Sequence, residues 1–228
     1  MIDNMLSLFQ LCDSNFPTGA FSHSYGLETY IQENKVSDKH SFSEWLNMYL
    51  NEQLVYSDGL ACLLTYQALE KKDLNKVWEI DRIITVQNLP RETREGNKQI
   101  GRHMLKLVEA LYNTDLLSLY KERISKKMSF GHPSIVFAMV AHHLVVEQST
   151  AVLYYLYSSV LNLVQNAVRA IPLGQTAGQQ IIHEFQEKLH DATIKIKNLS
   201  EEDFGIVSPG LELSQMKHER VNIRIFMS

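Results

Sequence analysis

Hydrophobic residues recur along most of this chain every three or four positions rather than in strict alternation. This spacing places them on one face of an α-helix, so the pattern predicts a largely helical protein. A capping box at residues 41–44 predicts a helix start just before Trp45, and Asp73 is expected to cap a later helix. Pro90 suits the first turn of a further helix, because its missing amide hydrogen costs nothing there.

Two segments near the middle of the chain, residues 133–145 and 153–171, are apolar on nearly every face. Helices of that kind lie inside a bundle, surrounded by other helices. Pro172 is expected to open another helix, in which small residues around Gly178 allow a neighbouring helix to approach closely. We therefore predict an all-α fold, with a single compact, bundle-like body of roughly ten helices over residues 1–200.

The composition and the spacing of apolar residues change after about residue 200. An acidic run at residues 201–203 and a Pro-Gly turn at 209–210 precede a final stretch, residues 221–225, that alternates apolar and polar positions. We expect residues 201–228 to form a C-terminal tail that binds partners. The tail is expected to be poorly ordered in the isolated protein, because its apolar residues lack a periodic face that would close on the body.

Charge and composition narrow the possible classes of function. Lys and Arg total 22 against 26 Asp and Glu, a formal net charge of -4, which disfavours binding to nucleic acid. Residues 148–165 are uncharged, but they include Gln, Ser, Thr and Asn and stay short of the roughly 20 strongly apolar residues that a membrane span needs, so no membrane partner is predicted. Cys12 and Cys62 are the only cysteines, which favours a reduced, cytoplasmic protein.

The motifs of the common nucleotide and metal enzymes are missing from this sequence. No glycine is followed by lysine, which excludes a P-loop, and neither GxGxxG nor HExxH occurs. We therefore predict no cofactor and no catalytic residue. Two enzyme alternatives stay open: a helical hydrolase with Cys12 as nucleophile and His23 as base, and a helical metal site built around Glu187 and His190.

A row of basic residues follows Pro90, at Arg91, Arg94, Lys98 and Arg102. Spacings of three and four positions place these residues on one helix face. The row is either a solvated face or a docking stripe for an acidic partner surface or an anion. Only a docking stripe would make the rate of partner association depend on salt.

Residues 13–28 differ in composition from the rest of the body. Small and polar residues outnumber aliphatic ones there, yet Phe16, Phe21 and Tyr25 supply aromatic anchors. This combination favours a contact surface, or a sharp turn between helices, over a buried helical stripe.

The stretch from Leu11 to Glu28 resembles the N-terminal signature of the urease accessory protein UreF family, and it reads LCDSNFPTGAFSHSYGLE. Stretches that resemble further motifs of that family follow in the expected order: residues 90–94 with Gln99 and Gly101, 166–175, Ser208-Pro209, Met216, His218-Glu219 and 224–228. The resemblance therefore spans the whole chain.

The resemblance implies an all-helical, homodimeric protein that has no catalytic activity or cofactor of its own and works in the cytoplasm. Members of this family bind the accessory protein UreD, also called UreH, and the GTPase UreG. Together they act as a chaperone for apo-urease while nickel is inserted with GTP hydrolysis. The resemblance leaves open whether such a protein gates GTP hydrolysis by its partner, offers nickel a passage, or only positions the partners. A general helical adaptor unrelated to nickel is the remaining alternative.

The resemblance and the residue patterns together give an expected partner-binding set. It comprises Phe21, His23, Tyr25, Glu28, Arg91, Arg94, Arg224, Phe226 and Met227. The four signature residues of this set are placed at a partner surface or beside the docked tail. Arg224 is expected to tie the tail to a carboxylate or carbonyl of the body, because a guanidinium offers a fork of hydrogen bonds. The face with Arg169 and Gly178 is one candidate dimer interface, although packing within the chain explains it equally well.

Overall fold

Helices form nearly all of the regular structure in the computed structural model, which describes residues 4–221 and 223–228. Within these ranges no residue lies in a β-strand, and the predicted all-α fold is confirmed. The helices are α1 (Asn4–Cys12), α2 (Leu27–Gln32), α3 (Lys39–Tyr49), α4 (Leu60–Glu70), α5 (Leu74–Val86), α6 (Arg91–Tyr112), α7 (Asp115–Ser125), α8 (Pro133–His143), α9 (Gln148–Ala170), α10 (Gln175–Lys197) and α11 (Pro209–His218).

A continuous helical path joins α3 to α4 through a π-helical stretch, Leu50–Gly59. Short 3₁₀ turns, Ala20–Ser22 and Glu201–Asp203, occur near the two ends of the chain. Gly59 lets the π-helical stretch approach α10 closely, because a Cβ atom there would lie 2.6 Å from Cδ1 of Ile196. The stretch therefore packs directly against α10.

Helix α8 occupies the centre of the bundle. Its residues from Pro133 to Ala141 are all buried, and it packs against α4, α6, α7 and α9. Because other helices surround α8, no face of it has to be polar. The two predicted central helices are confirmed, although α8 ends at His143 and α9 begins at Gln148.

Several predicted helix starts differ from the structure by a few residues. The capping box lies three residues earlier than expected: Asp38 caps α3 by accepting a hydrogen bond from the amide of Ser41 at 2.9 Å, so Ser41 is the third helical residue. Asp is as good a cap as Ser, so both positions satisfy the local rule, and the structure uses the earlier one. The Asp73 cap is confirmed, since its carboxylate accepts from the amide of Lys76 at 3.0 Å. Helix α6 begins directly after Pro90.

The small-residue patch around Gly178 is used within the chain. A Cβ atom at Gly178 would lie 2.9 Å from Cγ2 of Val168 and 3.4 Å from Cγ1 of Val164, so the glycine permits close packing of α10 on α9. Pro172 does not open α10, which begins at Gln175, because residues 171–174 form the tight turn that reverses the chain. Homodimer formation stays a prediction.

The tail lies against the body. Helix α11 packs on α2 and α6, and both Leu211 and Phe226 are buried. The expectation that the apolar residues of the tail have no face that closes on the body is therefore wrong for the tail residues that the structure describes, while Asn222 lies outside them. The surface that receives them comes from residues far away in sequence, which local periodicity does not reveal. The division into a body and a partner-binding tail stays a prediction.

None of the helices in the described part of the chain has the length and apolar character needed to cross a membrane.

Candidate partner-binding surface

The signature segment is shaped so that the tail can pack on it. Gly26 has a φ of 90°, in the left-handed region that glycine adopts without strain. A Cβ atom at Gly26 would also overlap the hydroxyl of Ser214 on α11. Thr29 secures the same contact by donating its hydroxyl hydrogen to the carbonyl oxygen of Ser214 at 2.8 Å. Helix α11 therefore lies directly on the end of the signature.

A buried carboxylate at Glu28 receives the tail. Only 3% of Glu28 is exposed, and its Oε1 atom accepts a hydrogen bond from the amide of Ile225 at 2.6 Å. Its Oε2 atom accepts from the amide of Phe226 at 3.1 Å and from Nε2 of His218 at 2.7 Å. One side chain of α2 thus satisfies two main-chain donors of the tail and one ring nitrogen of α11.

His218 lies fully buried between two carboxylates. Its Nδ1 atom is 3.2 Å from Oε2 of Glu92 on α6, and its Nε2 atom faces Glu28. Because ionised carboxylates only accept hydrogen bonds, this geometry calls for a hydrogen on both ring nitrogens, which makes His218 an imidazolium. Such charge-assisted hydrogen bonds are stronger than neutral ones.

Arg224 completes this group by binding Glu92. Its Nη1 atom lies 2.8 and 3.0 Å from the two oxygens of Glu92, which confirms the prediction that Arg224 ties the tail to a body carboxylate. Burial by itself would raise the pKa of Glu92, but the hydrogen bonds from Arg224 and His218 outweigh burial and hold that pKa below its ordinary value. We call Glu28, Glu92, His218 and Arg224 the tail latch.

The last residues of the tail bind the main chain of the signature. His23 is buried, and its Nδ1 atom is 2.7 Å from the hydroxyl oxygen of Ser228. The amide of Met227 donates to the carbonyl oxygen of Ser22 at 2.8 Å, and the amide of Ser24 donates to the carbonyl oxygen of Ser228. Burial, assisted by the positive charge of His218, lowers the pKa of His23 to about 4, so its ring is neutral near pH 7.

Helix α9 supports this contact from beneath. Asn166 donates to the carbonyl oxygen of His23 at 2.8 Å, and Arg169 donates to that of Phe21 at 2.9 Å. The Arg169 guanidinium also lies 5.2 Å from the ring centre of Phe226 and 5.8 Å from that of Phe21. Arg169 therefore joins the signature to the tail through cation–π contacts as well as a hydrogen bond.

The outer side of the docked tail is apolar. Ile223, Ile225 and Met227 are 84%, 55% and 58% exposed, whereas Phe226 between them is buried. Phe21, at 53% exposed, lies on the neighbouring signature segment. We call Ile223, Ile225, Met227 and Phe21 the tail ridge. Exposed apolar groups gathered in one place mark interaction sites more often than scattered ones do.

Comparison with known proteins identifies the family. The family model described as UreF matches residues 36–186, more than half of the chain. This chain belongs to the UreF family. It is 54% identical over 228 residues to the urease accessory protein UreF of Lachnoclostridium phytofermentans, with all of both chains covered. It is also 51% identical over 227 residues to the urease accessory protein UreF of Bacillus sp. strain TB-90, again with both chains covered.

The structure separates the expected partner-binding residues of this UreF family member into three groups. Phe21, Arg91 and Met227 are exposed. Arg94 and Tyr25 are half-buried. Arg94 donates to the carbonyl oxygens of Asn88 and Leu89, and the Tyr25 hydroxyl donates to Asn97. Arg224 is bound to Glu92 in the tail latch. His23 and Glu28 are buried beneath the docked tail, and Phe226 is buried as part of the tail itself. These last three would not touch a partner unless the tail moved, so they hold the tail instead.

The residues that the expected set omitted are Glu92, Asn166, Arg169 and His218. All except Asn166 bear a charge in this arrangement, and each lies in one of the stretches that resemble the family's motifs. Their membership in those motifs was the available signal. Their contacts were not visible in the sequence, because each residue binds a side chain or main-chain group that lies far from it along the chain.

The structure gives the two residues of the hydrolase alternative separate partners. The Cys12 thiol donates to the carbonyl oxygen of Tyr154 at 3.4 Å, and burial raises its pKa to about 12. The His23 ring is bonded to Ser228 instead. Glu187 and His190 are exposed on α10, and no cluster of three or more His, Cys, Asp or Glu side chains suited to a metal occurs among the described residues.

We predict that neither cysteine reacts with a thiol reagent in the folded protein at neutral pH. Burial raises the pKa of both thiols, so almost none of the reactive thiolate is present. Ellman's reagent should label no thiol in buffer and both Cys12 and Cys62 after unfolding in guanidinium. Rapid labelling of Cys12 alone in the folded protein would contradict this prediction and would support the alternative in which Cys12 is the nucleophile of a hydrolase.

Proposed function

We propose that this protein is a urease accessory protein that acts as a non-catalytic scaffold. In this proposal it holds a UreD/UreH-like accessory protein and a UreG-like GTPase in place on apo-urease while nickel is inserted with GTP hydrolysis. Membership of the UreF family and the printed names of two relatives that align over the full chain support the urease assignment. The wider proposal includes homodimer formation and a cytoplasmic setting, which the free cysteines favour.

The tail ridge is the observation that carries the scaffold role. Its apolar side chains are exposed on or beside a segment that the tail latch fixes through the buried His218–Glu28 contact and the solvent-facing Arg224–Glu92 pair. A fixed segment loses less conformational entropy on binding than a free one, so the ridge is preorganised to bind a partner. We assign the ridge to the UreD/UreH-like protein.

The basic row on α6 is assigned to a second partner. Arg91 and Arg102 are exposed, while Lys98 is paired with Glu95 at 2.7 Å. Arg91 lies beside the tail, because Glu219 accepts hydrogen bonds from the amides of Arg91 and Glu92. We propose that Arg91, Arg94 and Arg102 meet an acidic surface of the GTPase, with an association rate that falls as salt increases.

Substituting Ile225 and Met227 together with aspartate tests the ridge assignment. The double variant keeps the main-chain bonds of the tail but places two charges on the ridge, so affinity for the UreD/UreH-like protein should fall at least about tenfold. The measurement is co-purification and a binding isotherm with the purified partners, with and without GTP, followed by a urease maturation assay.

The matched control is Ile194→Asp, since Ile194 is 49% exposed on α10 and lies outside the ridge. It should bind both partners like the unaltered protein. An unchanged isotherm for the double variant would rule out the ridge as the partner site. If the unaltered chain recovered no urease component, the general adaptor alternative would replace the proposed function.

A further inference from the structure

Three buried polar atoms that lack a partner belong to side chains around one small cavity. In the part of the chain that the structure describes, eight buried side-chain nitrogen or oxygen atoms make no hydrogen bond within the protein. Three of the eight are Oε1 of Gln53, Nε2 of Gln87 and Nε2 of His132, and all three residues line the same cavity. Buried polar groups are nearly always hydrogen-bonded, so this arrangement indicates a site for a polar ligand.

The cavity lies between the body and the tail. The π-helical stretch contributes Gln53 and Asp58, Gln87 directly follows α5, and His132 directly precedes α8. Three tail residues form part of the wall, namely Val207, Glu212 and Gln215. The volume open to the centre of a water molecule is about 20 Å³, and one water needs roughly 10 to 15 Å³ by this measure. The cavity therefore has room for one water molecule.

We propose that this cavity binds one water molecule, which bridges the π-helical stretch, Gln87 and His132. The water would supply the hydrogen-bond partners that these three parts of the chain do not find in one another. The site is independent of the proposed function, because it belongs to the isolated chain and needs no other protein.

The ring of His132 supplies a hydrogen-bond donor to the site. Its Nδ1 atom accepts a hydrogen bond from the amide of Ser134 at 3.4 Å, and the Ser134 hydroxyl, 2.9 Å away, can donate to the same atom. Burial lowers the pKa of His132, so its ring is neutral near pH 7. A neutral imidazole that accepts at Nδ1 carries its hydrogen on Nε2.

The distance from His132 to Asp58 suits a bridging molecule. Nε2 of His132 lies 3.9 Å from Oδ1 of Asp58, which is too far for a direct hydrogen bond. A polar pair at such a separation is commonly joined by a water. Oδ1 of Asp58 also accepts from the Tyr155 hydroxyl at 3.0 Å, and a carboxylate oxygen has a second lone pair for another donor.

The two glutamines complete a set of groups that matches a water molecule. The amide nitrogen of Gln87 is a second donor, and the amide oxygen of Gln53 is a second acceptor beside Asp58. A buried water makes up to four hydrogen bonds, two as donor and two as acceptor, so each of the four groups has a use. A cation would face two N–H donors and an anion would face the Asp58 carboxylate, so a neutral molecule suits the site better.

The π-helical stretch explains why both acceptors face the cavity. Hydrogen bonds in a π-helix join residues five positions apart, so Gln53 and Asp58 lie one turn from each other. In an α-helix, with its 3.6 residues per turn, side chains five positions apart would point about 140° from each other. The wider turn therefore brings the two acceptors to the same side.

A crystal structure of the full chain at high resolution tests the site directly. We expect density for one water within hydrogen-bond distance of Nε2 of His132, of the Asp58 carboxylate and of at least one of the two glutamines. Density with the anomalous scattering of a metal ion would overturn the proposal. A cavity without density, or a direct hydrogen bond between His132 and Asp58, would overturn it as well.

Oxygen-17 magnetic relaxation dispersion provides a second test, because it counts long-lived buried waters in solution. The double variant Gln53→Leu, Gln87→Leu keeps the approximate size of both side chains and removes one acceptor and one donor. Its dispersion amplitude should be lower than that of the unaltered protein by about one water molecule.

The matched control is Gln179→Leu, Gln186→Leu, which alters two exposed glutamines of α10 and should keep the full amplitude. Equal amplitudes for the two double variants would contradict the proposed site. If the Gln53→Leu, Gln87→Leu protein does not fold, the density in crystals of the unaltered chain decides. Neither measurement involves a partner, so failure of the water site and failure of the scaffold proposal give different results.

Discussion

Replacing Glu28 with alanine is expected to free the tail and to lower the free energy of unfolding by about 3 to 5 kcal/mol. Glu28 is buried and accepts hydrogen bonds from the amides of Ile225 and Phe226 and from the His218 ring. Removing the carboxylate leaves the His218 charge with Glu92 alone and leaves two amides without an acceptor. Buried groups that lose a charged partner cost more than a neutral hydrogen bond does.

Two measurements test the Glu28 prediction. Guanidinium denaturation gives the free energy of unfolding, and amide hydrogen exchange reports on Ile225 and Phe226 directly. Under the proposed function, the variant should also lose affinity for the UreD/UreH-like protein, because the tail ridge would no longer be held in place.

Glu33→Ala is the matched control for Glu28→Ala. Glu33 lies at the end of the same helix, where its pairs with Lys35 and Lys217 face solvent. Exposed ion pairs of this kind contribute little to stability, so the control should unfold nearly like the unaltered protein. Slow exchange of the Ile225 and Phe226 amides in Glu28→Ala would show that the latch does not depend on this carboxylate.

Replacing Gly101 with alanine is expected to lower the free energy of unfolding by about 3 kcal/mol or more. Gly101 lies in α6, and a Cβ atom there would overlap the carbonyl oxygen of Gly131 and lie 2.8 Å from the main-chain nitrogen of Pro133. These atoms belong to the backbone that leads into the central helix α8, so they do not move aside as a flexible side chain would. The two helices would have to separate.

Gly174→Ala provides the comparison for Gly101→Ala. Gly174 precedes α10 with a φ of -67°, and no heavy atom lies within 4 Å of a Cβ atom built there. The free energy of unfolding of the Gly174→Ala variant should differ from that of the unaltered protein by no more than about 0.5 kcal/mol. Thermal and guanidinium unfolding of both variants measure the difference. Similar stabilities for the two would contradict the close approach of α6 to the residues before α8.

The helices were predictable because their signals are local. An apolar stripe repeats every three to four residues, and a cap such as Asp73 lies within four residues of the amide that it bonds. Errors arose at the ends of helices, as at Ser41 and Pro172, where several residues satisfy the same local rule. At Pro172 the reversal of the chain decides where the next helix begins.

The candidate site was predictable in part. The signature, the basic row and the tail were all identified, and the tie between Arg224 and a body carboxylate was predicted as a type of contact. The burial of His23, Glu28 and Phe226 was not foreseen. A polar residue in a segment without core periodicity favours an exposed position, and only the docked tail buries it.

The sequence by itself determined that this chain is helical, which segments are central, and to which family it belongs. Only the tertiary structure decided that the tail closes on the signature, since Glu28 and His218 are 190 positions apart and His23 and Ser228 are 205 apart. The reason is physical: helix periodicity and capping depend on neighbours within about four residues, whereas the tail latch depends on charges that meet only after the bundle has formed.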